Sequence, residues 1–360
     1  MNKECYIGIM SGTSMDGIDV VLCPVGEHGI ELAATLSMPF DPALKGRMLA
    51  AIGGRMTLRD IGRLDRELGE RYAEAVRTLI ARYDLDASRI EAIGLHGQTL
   101  WHEPEGDAPF TMQLGDPNIV AVRTGIATVA DFRRADVALG GQGAPFAPAF
   151  HRFVFGGLDG VNAVVNLGGM ANITVLGSET TGYDTGPGNV LIDAWMQRKF
   201  SRDYDEDGAI ARQGNVDETL LEAMLADPYF SRPAPKSTGR ESFNAAWIDR
   251  FGVGSLGDAD LLATLTELTA RTVVQEAARY APKRLLLCGG GAKNGWLVAR
   301  IAASLEGVEV APTDAYGVSA QWMEAMAFAW LARMRLHRRP VPLHGITGAS
   351  RDTLLGGIYG

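Results

Sequence analysis

Tyr6-Ile7-Gly8-Ile9-Met10-Ser11-Gly12-Thr13-Ser14-Met15-Asp16-Gly17-Ile18-Asp19-Val20-Val21-Leu22 is the stretch whose reading decides the fold. Two apolar runs, 6–10 and 18–23, flank a turn of small, hydroxylated and acidic residues, which predicts a β-hairpin. Its tip presents backbone N–H groups, hydroxyls and the carboxylate of Asp16. Amides and hydroxyls can donate to phosphate oxygens, and the carboxylate can hold Mg²⁺ or its water. A hairpin turn built merely from good turn residues fits the same stretch.

The middle of the chain repeats this beginning. Residues 29–37 read as a third strand after the hairpin. An apolar run at 161–166 leads into Leu167-Gly168-Gly169-Met170-Ala171-Asn172, a return strand at 173–176, and a short run ending in Gly182-Tyr183-Asp184-Thr185-Gly186-Pro187-Gly188-Asn189. Strand, small-residue turn and strand thus occur at 6–23 and again at 161–176. The duplication predicts two similar α/β halves with a ligand gripped by two facing turns, which favours the phosphate reading of the first.

Elements between the two copies fit α/β halves. Thr57, with Asp60 three residues on, opens a helix whose apolar positions Ile61, Leu64, Leu68, Tyr72, Val76, Leu79 and Tyr83 form one buried face. Residues 89–95 read as a strand ending in His96-Gly97-Gln98-Thr99, and 126–130 as one ending in Asp131-Phe132-Arg133. In α/β sheets ligands bind outside the C-terminal ends of strands. The strand at 284–288 opens into Gly289-Gly290-Gly291-Ala292-Lys293-Asn294-Gly295 and then a helix, an order that lets a nucleotide approach the backbone closely.

Composition narrows the function classes. At 360 residues the chain calls for two domains. Hydrophobic content of 46% and charged content of 21% describe a globular protein. The net charge of −9, from 34 basic and 43 acidic residues, argues against a nucleic-acid surface, which needs a basic footprint. Cys5, Cys23 and Cys288 form no CxxC pair and read as buried free thiols. The apolar stretch 318–336 is interrupted by Gln321, Glu324 and Arg333, so it reads as a core helix and not a membrane span. The N-terminus enters a strand pattern without a signal-peptide core, and cytoplasm is the expected location.

Several familiar sites fail. The chain has no GxxxxGK[ST] and no HExxH, and residues 289–295 break GxGxxG at Asn294. Gly12-Thr13-Ser14-Met15-Asp16 ends in Asp where a nucleophile elbow needs Gly. Asp203, Asp205, Asp207 and Gly208 imitate a calcium loop, but the twelfth position is Gly214 in place of the bidentate Glu. Three glycine turns and one strand-end acid, Asp184, remain.

Together these segments resemble one family, the anhydro-N-acetylmuramic acid kinases of bacterial cell-wall recycling. The resemblance is carried by Gly12-Thr13-Ser14-Met15-Asp16-Gly17, Leu95-His96-Gly97-Gln98-Thr99, Ala130-Asp131-Phe132-Arg133, Asn166-Leu167-Gly168-Gly169-Met170-Ala171-Asn172, Asp184-Thr185-Gly186-Pro187-Gly188-Asn189 and Cys288-Gly289-Gly290-Gly291, in order along nearly the whole chain. It implies an actin-like, sugar-kinase/Hsp70-type ATPase fold: two RNase-H-like α/β domains with a nucleotide and substrate cleft between them. The expected boundaries are 1–132 with 338–360 for the first domain and 133–337 for the second. By resemblance, Gly12, Thr13, Ser14, Asp16, Gly17 and Asp19 wrap the phosphates of ATP, with Mg²⁺ on Asp16 through water. Asn166, Gly168, Gly169 and Asn172 face them, and Gly289, Gly290, Gly291 and Asn294 lie near the adenosine. The implied reaction joins ATP, water and 1,6-anhydro-N-acetylmuramic acid to give N-acetylmuramic acid 6-phosphate and ADP. A homodimer is implied too, with no nucleic-acid or membrane partner.

That chemistry gives Asp184 a purpose. Opening a 1,6-anhydro ring needs a water activated at the anomeric carbon, and a carboxylate can take its proton. The leaving O6 can be captured by the γ-phosphoryl group, so one carboxylate suffices. On sequence alone, Asp184 could equally cap the helix that follows Asn189. Arg133 is the candidate for the lactyl carboxylate, against a surface Arg paired with Asp131 or Asp136. Gln98 and Thr99 are candidates for the sugar hydroxyls or N-acetyl group, against simple turn stabilisation. Glu324 is a further sugar contact by resemblance, against a solvent-facing Glu. A conventional kinase of the same fold acting on another amino sugar is the competing function.

Overall fold

A computed structural model describes residues 3–12 and 15–360; the contacts expected of Thr13 and Ser14 fall outside them. The chain divides into two compact units, Met1–Val154 with Trp322–Gly360, and Phe155–Gln321.

In the first unit, strands β1 (Glu4–Met10), β2 (Gly17–Val25) and β3 (Ala34–Pro39) form the expected meander. Helix α1 (Leu58–Arg82) starts where the capping pattern puts it: the Thr57 hydroxyl accepts from the Asp60 amide and donates to the Asp60 carboxylate. It buries Leu64, Leu68, Tyr72, Val76 and Leu79 as expected, while Tyr83, beyond its last turn, is exposed. Strand β4 (Ile90–Leu95) follows, parallel to β1. Gly97, at φ +76°, turns the chain into β5 (Gln98–Glu103), which pairs antiparallel with β6 (Phe110–Leu114) as a separate two-stranded sheet. Reading His96 to Thr99 as a strand-end loop misses that hairpin, although Thr99, Trp101 and Thr111 are strand formers. β7 (Thr128–Ala130) lies beside β4.

The second unit repeats the order. β8 (Asn162–Leu167), β9 (Met170–Leu176) and β10 (Thr180–Pro187) form an antiparallel meander, and α2 (Val190–Phe200) follows. α3 (Asp258–Ala278) leads to β11 (Arg284–Cys288), parallel to β8; α4 (Gly295–Ala303) then precedes β12 (Glu309–Pro312).

The chain then returns to the first unit through α5 (Met323–Leu336) and ends in β13 (Gly357–Tyr359), antiparallel to β7. The sheets read β13-β7-β4-β1-β2-β3 and β10-β9-β8-β11-β12. Without the added edge strand β13, the two orders are the same.

Sequence alone places residues 133–154 and 322–337 in the second domain; both pack with the first. The reason for α5 lies in two glycines. Gly8 and Gly94 are partners on β1 and β4. A Cβ on Gly8 would stand 1.9 Å from the Ala325 carbonyl oxygen, and one on Gly94 2.0 Å from that of Phe328. The missing side chains let α5 lie directly on the centre of the first sheet, which fixes Glu324 in its first turn.

Candidate active site

In the second unit, sheet register gathers the sequence candidates into a row. Asp184 pairs with Asn172, Asn172 with Asn166, and Asn166 with Cys288, the residue before Gly289. Direct cross-strand partners project from one face. Their neighbours Val165, Leu167, Ala171, Ile173 and Tyr183 belong to the apolar core, so the row points away from it. Gly289 is required beside it, because its φ is +80° and a Cβ would stand 2.2 Å from Asn166 Oδ1.

Asp184 does not cap α2. Asn189 occupies the cap position, and Asp184 lies within β10 at a register shift. Its Oδ2 accepts hydrogen bonds from Ser237 Oγ (3.1 Å) and the Thr238 amide (3.0 Å). Its own amide donates to the Lys236 carbonyl (3.0 Å), and its carbonyl accepts from the Tyr229 hydroxyl (2.7 Å). No hydrogen bond from the described residues reaches Oδ1. Burial pushes the carboxyl above the usual aspartate range, opposed by the Thr238 and Ser237 donors and assisted by the negative charge of Glu241. One oxygen is held and one is left open, the geometry a proton acceptor needs.

The glycine turns of this unit are tightly engaged. The Gly168 carbonyl accepts from the Asn189 amide, and that of Gly169 from Gly188 and Val190. Asn294 caps α4 by accepting from the Leu297 amide (3.1 Å). The calcium-like segment has a purely protein role: Asp205 accepts from the Ile210 and Ala211 amides, and Asp207 Oδ1 accepts from Gly295 N (2.8 Å). It braces the turn that carries Gly289, Gly290, Gly291 and Asn294. Gly290 has open space where a Cβ would be.

In the first unit, residues 11–16 join β1 to β2. Gln98 is buried, and both ends of its amide are occupied: Oε1 accepts from Ser11 Oγ, and Nε2 donates to the Gly12 carbonyl (3.3 Å). The Thr99 hydroxyl accepts from Gln113 (3.4 Å). Asp16 is exposed and pairs with Lys45 (3.0 Å). Gly17 starts β2 against the Met38 carbonyl, 2.5 Å from a would-be Cβ. Asp19 is half-buried; burial raises its carboxyl above the usual range, and a hydrogen bond from Ser37 opposes the rise.

Arg133 is fixed on all sides. Its Nε and Nη2 face His96 Nε2 (3.2 and 2.8 Å), Nη1 donates to the Gly143 carbonyl (2.7 Å), and the guanidinium lies over the Phe146 ring. The acidic neighbours considered for it are engaged elsewhere. Asp131 pairs with Arg134 (3.4 Å), and Asp136 accepts from the Gly143 amide and Thr347. Burial lowers the guanidinium to about 10, so it stays charged at neutral pH. Burial also brings His96 down to about 3, assisted by the Arg133 charge, and the neutral ring can accept from Arg133. Glu324 is exposed, as the solvent-facing alternative has it, yet the protein around its carboxyl and the charge of Asp19 raise it above the usual glutamate range, with Arg133 opposing. Glu324 thus feels both Asp19 and Arg133 within this unit.

Sequence reasoning takes His96 only for a satisfied strand-end residue, whereas its Nε2 meets Arg133; it misses Ser11, Ser237 and Thr238. For the last two there is no signal, because a segment rich in Pro, Ser and charge has no periodicity to show which residue turns inward.

The two units share one strand order, a duplicated α/β sheet. The chain matches the family described as anhydro-N-acetylmuramic acid kinase over residues 4–360. A protein of that name from Sulfurovum sp. (strain NBC37-1) is 52% identical over 362 residues, covering 100% of both chains. Another from Sulfurimonas denitrificans (strain ATCC 33889 / DSM 1251) is 47% identical over 366 residues, covering 99% of this chain and 100% of the relative. This chain belongs to the anhydro-N-acetylmuramic acid kinase family, and it is a kinase. Among solved structures, the (R)-2-hydroxyglutaryl-CoA dehydratase component A of Acidaminococcus fermentans matches at a TM-score of 0.47 and 11% identity, over 91% of this chain and 96% of that one.

Proposed function

We propose that this protein phosphorylates O6 of 1,6-anhydro-N-acetylmuramic acid with ATP while water opens the anhydro bond, a step in recycling cell-wall peptidoglycan. Membership of the family over residues 4–360 supports the substrate. The observation that carries the mechanism is Asp184, with Oδ2 held by Ser237 and Thr238 and Oδ1 left open. Water attacks the anomeric carbon and gives its proton to Oδ1. The C1–O6 bond breaks with its electron pair passing to O6. O6 takes the γ-phosphoryl group, ADP leaves, and Asp184 returns its proton to solvent.

The other residues hold the reactants. Arg133, fixed by His96 and Gly143, presents its remaining N–H groups to the lactyl carboxylate, and Glu324 to a sugar hydroxyl. Gln98 acts through the turn it anchors, and Thr99 from β5. Residues 12–19 carry the phosphates, while Asn166, Asn172 and the turn at 289–291 face the nucleotide.

The donor set suits Mg²⁺, which keeps several waters beside one or two carboxylates. Asp16 would hold the ion through water in exchange for Lys45; when bound, it would neutralise phosphate charge. Family resemblance supports a homodimer and a cytoplasmic setting, where ATP is available. No helix among the described residues is long and apolar enough to cross a membrane.

The test is turnover of the anhydro sugar in ¹⁸O-water, with ring-opened N-acetylmuramic acid as control. Label at the anomeric oxygen and none in the transferred phosphate is expected. Phosphate transfer without label, or ADP release with the ring-opened sugar alone, would favour a conventional sugar kinase instead.

A further inference from the structure

Behind Asp184 lies an ion pair that the chemistry above does not use. Lys236 Nζ stands 2.8 Å from Glu276 Oε1, with both side chains almost wholly buried. Lys236 comes from the irregular segment after α2, whereas Glu276 is on α3. The same ammonium donates to the Phe230 carbonyl (3.2 Å) and lies over the Tyr229 ring. Tyr183, the residue before Asp184, donates to Glu276 Oε2 (3.0 Å). Asp184 is therefore bracketed. Its amide meets the Lys236 carbonyl, its Oδ2 meets the next two residues, and its carbonyl meets Tyr229.

We propose that the Lys236–Glu276 pair is a positioning device for the base: it locks residues 236–238 in the one register that holds Asp184 Oδ2 and leaves Oδ1 to the water. The proposal rests on the reading of Asp184 as that base. A buried pair contributes little to stability, because desolvation offsets its attraction. What it does supply is register. An apolar pair of similar size could slide along α3, whereas the ammonium must sit on one carboxylate. A slip of one residue would carry the Ser237 hydroxyl and the Thr238 amide away from Oδ2.

The charged and titratable groups facing Asp184 are Glu241 and Tyr229; Tyr229 in turn feels Glu276 and Arg232. Glu276 is shared by Lys236 (2.8 Å) and the half-exposed Arg279 (3.2 Å); removing Lys236 and Glu276 together leaves Arg279 to solvent, so the change acts on Asp184 mainly through the two donors. Losing those donors raises its carboxyl further, and the acid limb of kcat/KM moves to higher pH.

The test compares Lys236→Met with Glu276→Gln in one chain, Ser237→Ala, and Asp184→Asn, in the full-length enzyme. In the double variant the amide introduced at position 276 still accepts from Tyr183, and no lone buried charge remains. It is expected to lose about 10- to 100-fold in kcat, as misplacement of a reacting group does. Its KM for ATP should stay within about twofold, and its acid limb should rise by about one pH unit. Ser237→Ala removes one exposed donor and should move the limb by about half as much. Lys236→Arg with Glu276→Asp should recover part of the rate. A folded double variant with the wild-type rate and limb overturns the proposal; if that variant does not fold, an unmoved limb in Ser237→Ala does so. If Asp184→Asn keeps its turnover, the base reading fails and this inference falls with it. If Asp184→Asn is inactive while the double variant matches the wild type, positioning alone fails.

Discussion

Replacing Asp184 by Asn separates a catalytic carboxylate from a structural one. The amide is nearly isosteric, and its carbonyl oxygen can occupy the Oδ2 position and accept from Ser237 Oγ and the Thr238 amide as the aspartate does. Its NH₂ then lies where Oδ1 was, at the end without a hydrogen bond from the described residues, and cannot take a proton from water. A positioned general base contributes about 10²- to 10⁴-fold, so kcat should fall by that factor, or about 3 to 5 kcal/mol in barrier height. ATP binding should be unchanged.

Stability should move the other way, or not at all. Burial raises the Asp184 carboxyl in the folded chain, so the native state keeps this proton to higher pH than the unfolded chain does. The stability linked to it is fully present below the unfolded pKa and is lost as pH rises through the folded one. At neutral pH the ionised, desolvated aspartate therefore costs the fold something that a neutral amide does not. Asp184→Asn should melt at the same temperature as the wild type or slightly higher. Loss of a helix cap would cost about 1 kcal/mol and lower Tm by about 2 °C or more. Calorimetry beside steady-state kinetics at saturating ATP provides the test. A kcat within tenfold of wild type, or a Tm lowered as removal of a cap would lower it, would refute the assignment.

Three further outcomes are expected. Gly94→Ala forces a Cβ to within 2.0 Å of the Phe328 carbonyl oxygen, so α5 must move; Tm should fall by an amount equivalent to about 1–3 kcal/mol, and KM for the sugar should rise as Glu324 shifts. Arg133→Lys keeps the charge but loses the fork that spans His96 and the Gly143 carbonyl; KM for the sugar should rise about 10- to 100-fold with kcat less affected, and equal KM values would remove Arg133 from the sugar site. The acid limb of kcat/KM should lie above the ordinary aspartate value of about 3.9, because burial and Glu241 raise Asp184 and the base must be ionised to act; a limb at or below that value would contradict the stated cause.

Periodicity and turn chemistry make the main elements legible: the two meanders, the capped start of α1, and the strand and glycine turn at 284–295. They cannot show where α5 belongs. Its apolar residues cover nearly the whole surface, with Ala325, Met326, Ala327, Phe328 and Ala329 all buried, and nothing in such a helix says which sheet receives it. The answer lies in Gly8 and Gly94, some 230 to 320 positions earlier, whose meaning appears only once β1 and β4 are paired. The site is legible to a similar depth. Asp184 can be singled out as a strand-end acid, but its register partners Asn172 and Asn166 require the sheet, and Ser237 and Thr238 require the loop.

The duplicated sheet has not duplicated its chemistry, and the registers show why. β1–β2–β3 of the first unit correspond to β8–β9–β10 of the second, and each meander carries a cross-strand row beside its first turn: Met10, Asp19 and Ser37 in one, with only the last two polar, and the wholly polar Asn166, Asn172 and Asp184 in the other. In the first, the acid is on the middle strand and receives a hydrogen bond from Ser37. In the second, it is on the outer strand, where the 229–238 segment can reach it. The turns differ in the same sense. The connection between β1 and β2 is six residues long, 11–16, and Gln98 holds its first two residues, Ser11 and Gly12. Gly168 and Gly169 connect their strands directly, and their carbonyls are taken by the amides of residues 188–190. An outer-strand acid with a loop over it suits proton transfer, and a long, anchored turn suits phosphate. One strand order can therefore carry the two tasks proposed above, because the position of the acid and the length of the turn differ while the strand order does not.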